Sequence, residues 1–230
     1  MKKNSKHCGR EFPGMNEYSN VVISADEVRD VVRRFERQLK SGRVFFPGDA
    51  PFAMKCETLL KSAEPDIEGL SVSGRSFTAT DKTLYSEGDT PKVVSVGEDD
   101  IIALLDNTKK GLFGSLANKE CSLGTIVTTK GVLTYHKVDG KDTCGSGFAT
   151  WPSIAVSPYR GYSTALFCDS SNYNFPHGPR VWLYFSNARI KGYESSLFEL
   201  VSHLVAIAQG RGGEFDYDET RPEGAGDVED

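Results

Sequence analysis

The sequence predicts an α+β protein, with a small helical N-terminal region followed by a β-rich domain that one amphipathic C-terminal helix closes. Three observations lead there. The apolar runs Ile101 to Leu105, Leu123 to Val127 and Val132 to Tyr135 are separated by Gly, Lys and Asn punctuation, the pattern of consecutive strands in an antiparallel sheet. Near the end, Leu197, Leu200, Val201, Leu204, Val205 and Ala208 recur at helical spacing behind a capping box of Ser196 and Glu199, and Gly210 stands where that helix stops. At the front, Ser24 and Glu27 make a second capping box, followed by the apolar stripe Val28, Val31, Val32, Phe35 and Leu39.

In chain order, residues 1–23 are polar and without period, which predicts a flexible arm. The first helix runs from the Ser24 cap to Gly42. Its Arg29, Arg33, Arg34, Arg37 and Lys40 are interspersed with Asp26, Glu27, Asp30 and Glu36, so it reads as a solvated face. Val44 to Phe46 is a short strand, Pro47-Gly48-Asp49 turns the chain, and Pro51 to Ala63 is a second helix carrying Phe52, Met54, Leu59 and Leu60, expected to pack on the first. Residues 64–92 are rich in Ser, Thr, Gly and Asp around one alternating segment, Phe77 to Tyr85, which suits a hairpin strand or a connection; the boundary is placed near Pro91, giving a helical region at 24–92 and a β domain at 93–210. Within the latter, Thr129-Lys130-Gly131 makes a hairpin turn with Gly131 available for a positive φ, and Asp139-Gly140-Lys141 makes another. Phe148 to Val156, Thr164 to Cys168 and Val181 to Phe185 continue the strands. The tail, 211–230, is acidic and expected to be disordered.

Composition narrows the function classes. A chain of 230 residues with 38% hydrophobic and 26% charged side chains has enough apolar material for a sizeable core. No apolar run approaches the roughly 20 residues needed to cross a bilayer, and the basic start leads into no apolar signal region, which points to the cytoplasm. Cys8, Cys56, Cys121, Cys144 and Cys168 are odd in number and widely spaced, as reduced thiols would be, and neither a metal site nor a cofactor motif is legible. The net charge of −5 divides into +1 over residues 1–92, zero over 93–210 and −6 over the tail, so the body lacks the basic excess of a nucleic-acid binder.

The order of strands in series followed by one amphipathic helix, with Asp106 and Thr108 after the first strand, Phe113-Gly114-Ser115 in the loop, and Gly124, Thr128 and Gly131 around the hairpin, resembles a bacterial pleckstrin-homology-like (PH-like) family. The resemblance covers about residues 96 to 210 and implies a bent antiparallel sheet or barrel plugged by the helix. It departs from the family pattern in the extra residues Leu116 to Leu123 and in the Gly and Ser-rich segment near Cys144. PH-like domains bind lipids, peptides or proteins on shared scaffolds, so the fold alone leaves the ligand open.

A neutral body favours a non-catalytic interaction module with a protein or peptide partner, bound on a sheet edge or against the helix. An open sheet edge also allows a homo-oligomer. The alternative is recognition of acidic lipid headgroups or phosphate by Lys109, Lys110 and Lys119, the loop lysines that match the basic loop of lipid-binding members; Glu120 partly offsets them. A second alternative is a cysteine hydrolase, with Cys144 in the flexible Cys144-Gly145-Ser146-Gly147 and His136 or His177 as base. Asp99 and Asp100 read as a solvated turn, His203 as a half-buried structural histidine, and Asn172 to Pro179 as an aromatic loop or surface crossover.

Overall fold

The computed structural model describes residues 22–36, 44–81, 93–106, 108, 121–136, 146–151, 165–169, 180–184, 200, 203–204 and 207–208. Its helices are α1 (Ala25–Glu36) and α2 (Phe52–Ala63). Its strands are β1 (Val44–Phe45), β2 (Ser71–Ser73), β3 (Ser76–Thr80), β4 (Val93–Val96), β5 (Ile101–Asp106), β6 (Gly124–Thr128), β7 (Gly131–Tyr135), β8 (Gly147–Thr150), β9 (Ala165–Asp169) and β10 (Arg180–Tyr184). The architecture is α+β: an antiparallel central sheet ordered β1-β5-β6-β7-β8, a three-stranded sheet ordered β2-β3-β4, and the pair β9 and β10. The described strands form open sheets, with β1 and β8 at opposite edges of the largest, so they do not close into the barrel the PH-like resemblance implies.

The central sheet is buried on both faces, which explains why its strands are continuous apolar runs rather than alternating ones. Alternation survives as a division between two cores. Ile102, Leu105, Val127, Val132, Ala149 and Trp151 join Val28, Val31, Val32 and Phe35 of α1 on one side, together with Leu200, Leu204 and Ala208, whose backbone is helical. Ile101, Leu104, Ile126, Leu133, Tyr135 and Phe148 join Phe52, Cys56, Leu59, Leu60 and Ala63 of α2 on the other, with Phe77, Ala79 and Val96 from the small sheet.

Helix α2 therefore does not pack on α1 as expected. Their apolar stripes belong to opposite faces of the sheet, and Met54, expected inside, is 40% exposed. The division expected near Pro91 is likewise crossed by two strand pairings, β1 with β5 and β3 with β4, so the helical region and the strands build shared cores.

Local chemistry behaves as the residues dictate. Ser24 and Glu27 form the reciprocal box, the Glu27 amide donating to Ser24 Oγ at 3.3 Å and the Ser24 amide to Glu27 Oε2 at 3.3 Å. Gly74, at φ 61°, turns the β2–β3 hairpin. Gly131 does not take the positive φ expected of it. Its need for glycine is close approach: a Cβ there would lie 2.2 Å from the Ala149 carbonyl oxygen of β8. The first helix beyond Glu36, the Asp139-Gly140-Lys141 turn, the Asn172 to Pro179 loop, and the arm and tail lie outside the described residues.

Candidate functional site

The segment 109–120 leaves the end of β5 and returns to the start of β6, and both of its roots are held by side chains. Asp106 closes β5 and is 9% exposed; its Oδ2 accepts from Lys55 Nζ at 2.7 Å. Lys55 lies on the buried side of α2, 4% exposed, with Nζ 5.0 Å from the centre of the Phe45 ring of β1. The second Asp106 oxygen, Oδ1, accepts from the Thr108 amide at 2.8 Å, a turn of the Asx kind.

Thr108 carries the tie across. Its Oγ1 accepts from the Ser122 amide at 2.9 Å and from the Leu123 amide at 3.4 Å, and lies 3.4 Å from the Leu123 carbonyl, to which it donates. Gly124 then opens β6 against β5 at a point where a Cβ would be 2.5 Å from the Leu105 carbonyl. Cys121 packs beneath this root, and burial together with the neighbouring Asp106 charge pushes its thiol well above the ordinary range. Cys56 is buried too, and desolvation pushes its thiol up to about 12 although the Arg75 charge opposes the shift. Both shifts favour the protonated thiol at neutral pH.

The expected ligand lysines, Lys109, Lys110 and Lys119, lie outside the described residues, as do Cys144 and His177. The remaining hydrolase candidate, His136, is 2% exposed and faces Ser146 across the β7–β8 ladder, Nδ1 to Oγ 3.3 Å. The Ser146 hydroxyl, however, accepts from the His136 amide and donates to the His136 carbonyl, both at 3.1 Å, so it serves as a substitute ladder partner.

Asp100 sits in a 3-10 turn, Glu98–Asp100, as a clasp rather than a solvated turn residue. Its carboxylate accepts from the Gly97 amide at 2.8 Å, Thr129 Oγ1 at 2.9 Å and Lys130 Nζ at 2.7 Å. Burial alone would raise its pKa, but these bonds and the Lys130 charge outweigh it and hold the carboxyl below its ordinary value.

Side chains also occupy the sheet edges. The Val72 amide of β2 donates to Glu64 Oε1 at 2.8 Å, and the Ser95 carbonyl of β4 accepts from Lys130 Nζ at 2.8 Å. At β8, Asp81 makes a parallel bridge to Phe148 and accepts from Thr150 Oγ1 at 2.6 Å. At β1, only two residues long, Asp49 Oδ2 accepts from the next amide, Phe46, at 2.7 Å. These are the means by which edge strands avoid recruiting another chain.

A cleft of about 210 Å³ lies where the first turn of α1 meets Pro47, Phe52 and the start of β5. Of its rim charges, Arg29 pairs with Asp26 at 2.8 Å and Arg75 with Glu98. Among the described residues no group of three or more His, Cys, Asp or Glu is placed to hold a metal ion, and no helix is long and apolar enough to cross a membrane.

The buried pair was legible in part. Phe52, Lys55, Cys56, Leu59, Leu60 and Ala63 share one helical face, so Lys55 is the charged member of an apolar stripe, a sign that it meets a buried partner. Nothing in the sequence singles out Asp106, 51 positions later, as that partner. Compared with known proteins, the chain matches no family model, no curated protein and no solved structure.

Proposed function

We propose that this chain is a non-catalytic interaction module that holds a protein or peptide partner at the end of the central sheet where β5 ends and β6 begins. The observation that carries this reading is the tied root. Thr108 and Ser122 are joined at 2.9 Å and anchored through Asp106 to a buried lysine, a rigid base at that end of the sheet. The occupied edges of β2, β4 and β8 argue for recognition at this end of the sheet over strand addition, and over dimerisation through an open edge.

The PH-like reading belongs to the same proposal, with the helix around Leu200 to Ala208 closing the sheet. It draws support from the consecutive antiparallel pairing of β5, β6, β7 and β8, and from Leu200, Leu204 and Ala208 lying in the α1-side core. The non-catalytic reading draws support from the raised thiols of Cys56 and Cys121 and from the backbone duty of Ser146.

Hydrogen exchange tests the proposal once a partner is captured from cell extract. The expected result is slowed exchange at Thr108 and at 121–123 in the complex. Slowing confined to β2, β4 or the α1 face would place the partner elsewhere and end this reading.

A further inference from the structure

The cleft between α1 and the start of β5 is lined by charges of both signs that three separate elements deliver to one concavity. Arg29 comes from α1, Arg75 from the β2–β3 turn, and Glu98 and Asp99 from the 3-10 turn before β5. Pro47, Phe52, Ile101 and Ile102 supply its apolar part.

These four charges do not all cancel among themselves. Arg75 pairs with Glu98, and both line the cleft. Arg29 turns one terminal nitrogen, Nη1, to Asp26, which stands outside the lining and is 89% exposed, so that pair is held weakly. Asp99 is exposed and has no ion pair among the described residues. What remains on offer is a guanidinium with unused donors and a free carboxylate, opposite charges on one small and partly apolar volume.

Complementarity narrows the ligand. An anion alone would meet Glu98 and Asp99, and a cation alone would meet Arg29 and Arg75, each with repulsion to offset its attraction. A molecule carrying both charges a few bonds apart satisfies both, its carboxylate taking the Arg29 fork in place of the exposed Asp26 and its ammonium pairing with Asp99. Volume sets the rest. The cleft's 210 Å³ is below the roughly 300 Å³ at which pockets for drug-sized ligands begin, so the apolar body is no larger than a side chain.

We propose that this cleft binds a free α-amino acid with an apolar side chain, held by Arg29 at its carboxylate and by Asp99 at its ammonium. The cleft lies at the start of β5 and the proposed partner surface at its end, so the two readings are independent.

Isothermal titration calorimetry on the full chain tests it with L-leucine as the probe, beside isoamylamine, which lacks the carboxylate, and isocaproate, which lacks the ammonium. The expected result is saturable binding of L-leucine, with each analogue weaker by about tenfold or more. Arg29→Gln and Asp99→Asn, both at side chains in contact with solvent, are each expected to weaken L-leucine by about tenfold while melting at the native temperature. Absence of saturable heat with L-leucine overturns the proposal, as does binding that both variants leave unchanged. An analogue that binds as tightly as L-leucine also overturns it, since one charge would then suffice.

Discussion

Replacing Asp100 with alanine removes the acceptor that joins the turn before β5 to the β6–β7 hairpin. Three donors lose this acceptor, the Gly97 amide, Thr129 Oγ1 and Lys130 Nζ, of which Lys130 keeps its bond to the Ser95 carbonyl. The Asp100 side chain is 23% exposed and that of Lys130 32%, so the ion pair contributes about 0.5 to 1 kcal/mol rather than a buried value. The other two bonds contribute about 1 kcal/mol each. The backbone bond from the Thr129 amide to the Asp100 carbonyl, 2.9 Å, survives. The expected loss is therefore about 2 to 3 kcal/mol at pH 7, a fall of roughly 5 to 10 °C in melting temperature for a domain of this size.

The pH dependence makes the test sharper. The folded-state pKa of Asp100 is depressed, so its contribution is present in full above the unfolded value of about 3.9 and is lost as pH falls through the folded value. Urea unfolding of the native chain and Asp100→Ala at pH 7 and pH 3 should show a gap that shrinks with acid. A gap below about 0.5 kcal/mol at pH 7, or one equally large at both pH values, refutes the clasp.

Gly131→Ala should cost about 3 kcal/mol or more, because its Cβ would meet two backbone atoms of β8, the Ala149 oxygen at 2.2 Å and Thr150 Cα at 2.8 Å, and strands cannot yield as a side chain does; denaturant melts measure it. Cys56 and Cys121 should resist a thiol reagent at neutral pH in the folded chain and react on adding denaturant, read by absorbance of the released thiolate. His203, 5% exposed and edge-on to Phe35 at 6.5 Å, has its pKa lowered by burial and then by the Arg34 charge. Its contribution should be complete above the unfolded value of about 6.5 and decline as pH falls below it, and His203→Gln should flatten that part of the stability profile.

How much of this was legible in the sequence follows from the range of each interaction. The Ser24 box, the stripe of α1 and the hairpin of β6 and β7 rest on residues a few positions apart, and they stand where local pattern places them. Pairings across the chain were not legible. Val44 with Leu105 in the central sheet and Phe77 with Val96 in the three-stranded one tie the expected helical region to strands beyond Pro91, because a two-residue strand and a short alternating run carry no address for their partners. Gly131 shows a subtler limit: a glycine in a turn suggests a torsion angle, whereas here the neighbouring strand dictates it. The root of the candidate site was half visible. Asp106 and Thr108 stand out as a local pattern, but Lys55 and Ser122, which give that pattern its mechanical meaning, lie 51 and 14 positions from their partners.

The most direct test of the interaction reading is a paired capture from cell extract, using the native chain and the variant with Lys109, Lys110 and Lys119 all changed to Glu, with phosphoinositide-containing vesicles run alongside. The account predicts a protein retained by the native chain and lost, by about tenfold or more, from a variant that melts at the native temperature. Equal retention of the same proteins by both chains would contradict it, and retention of the vesicles alone, abolished by the three substitutions, would replace the protein partner with an acidic headgroup.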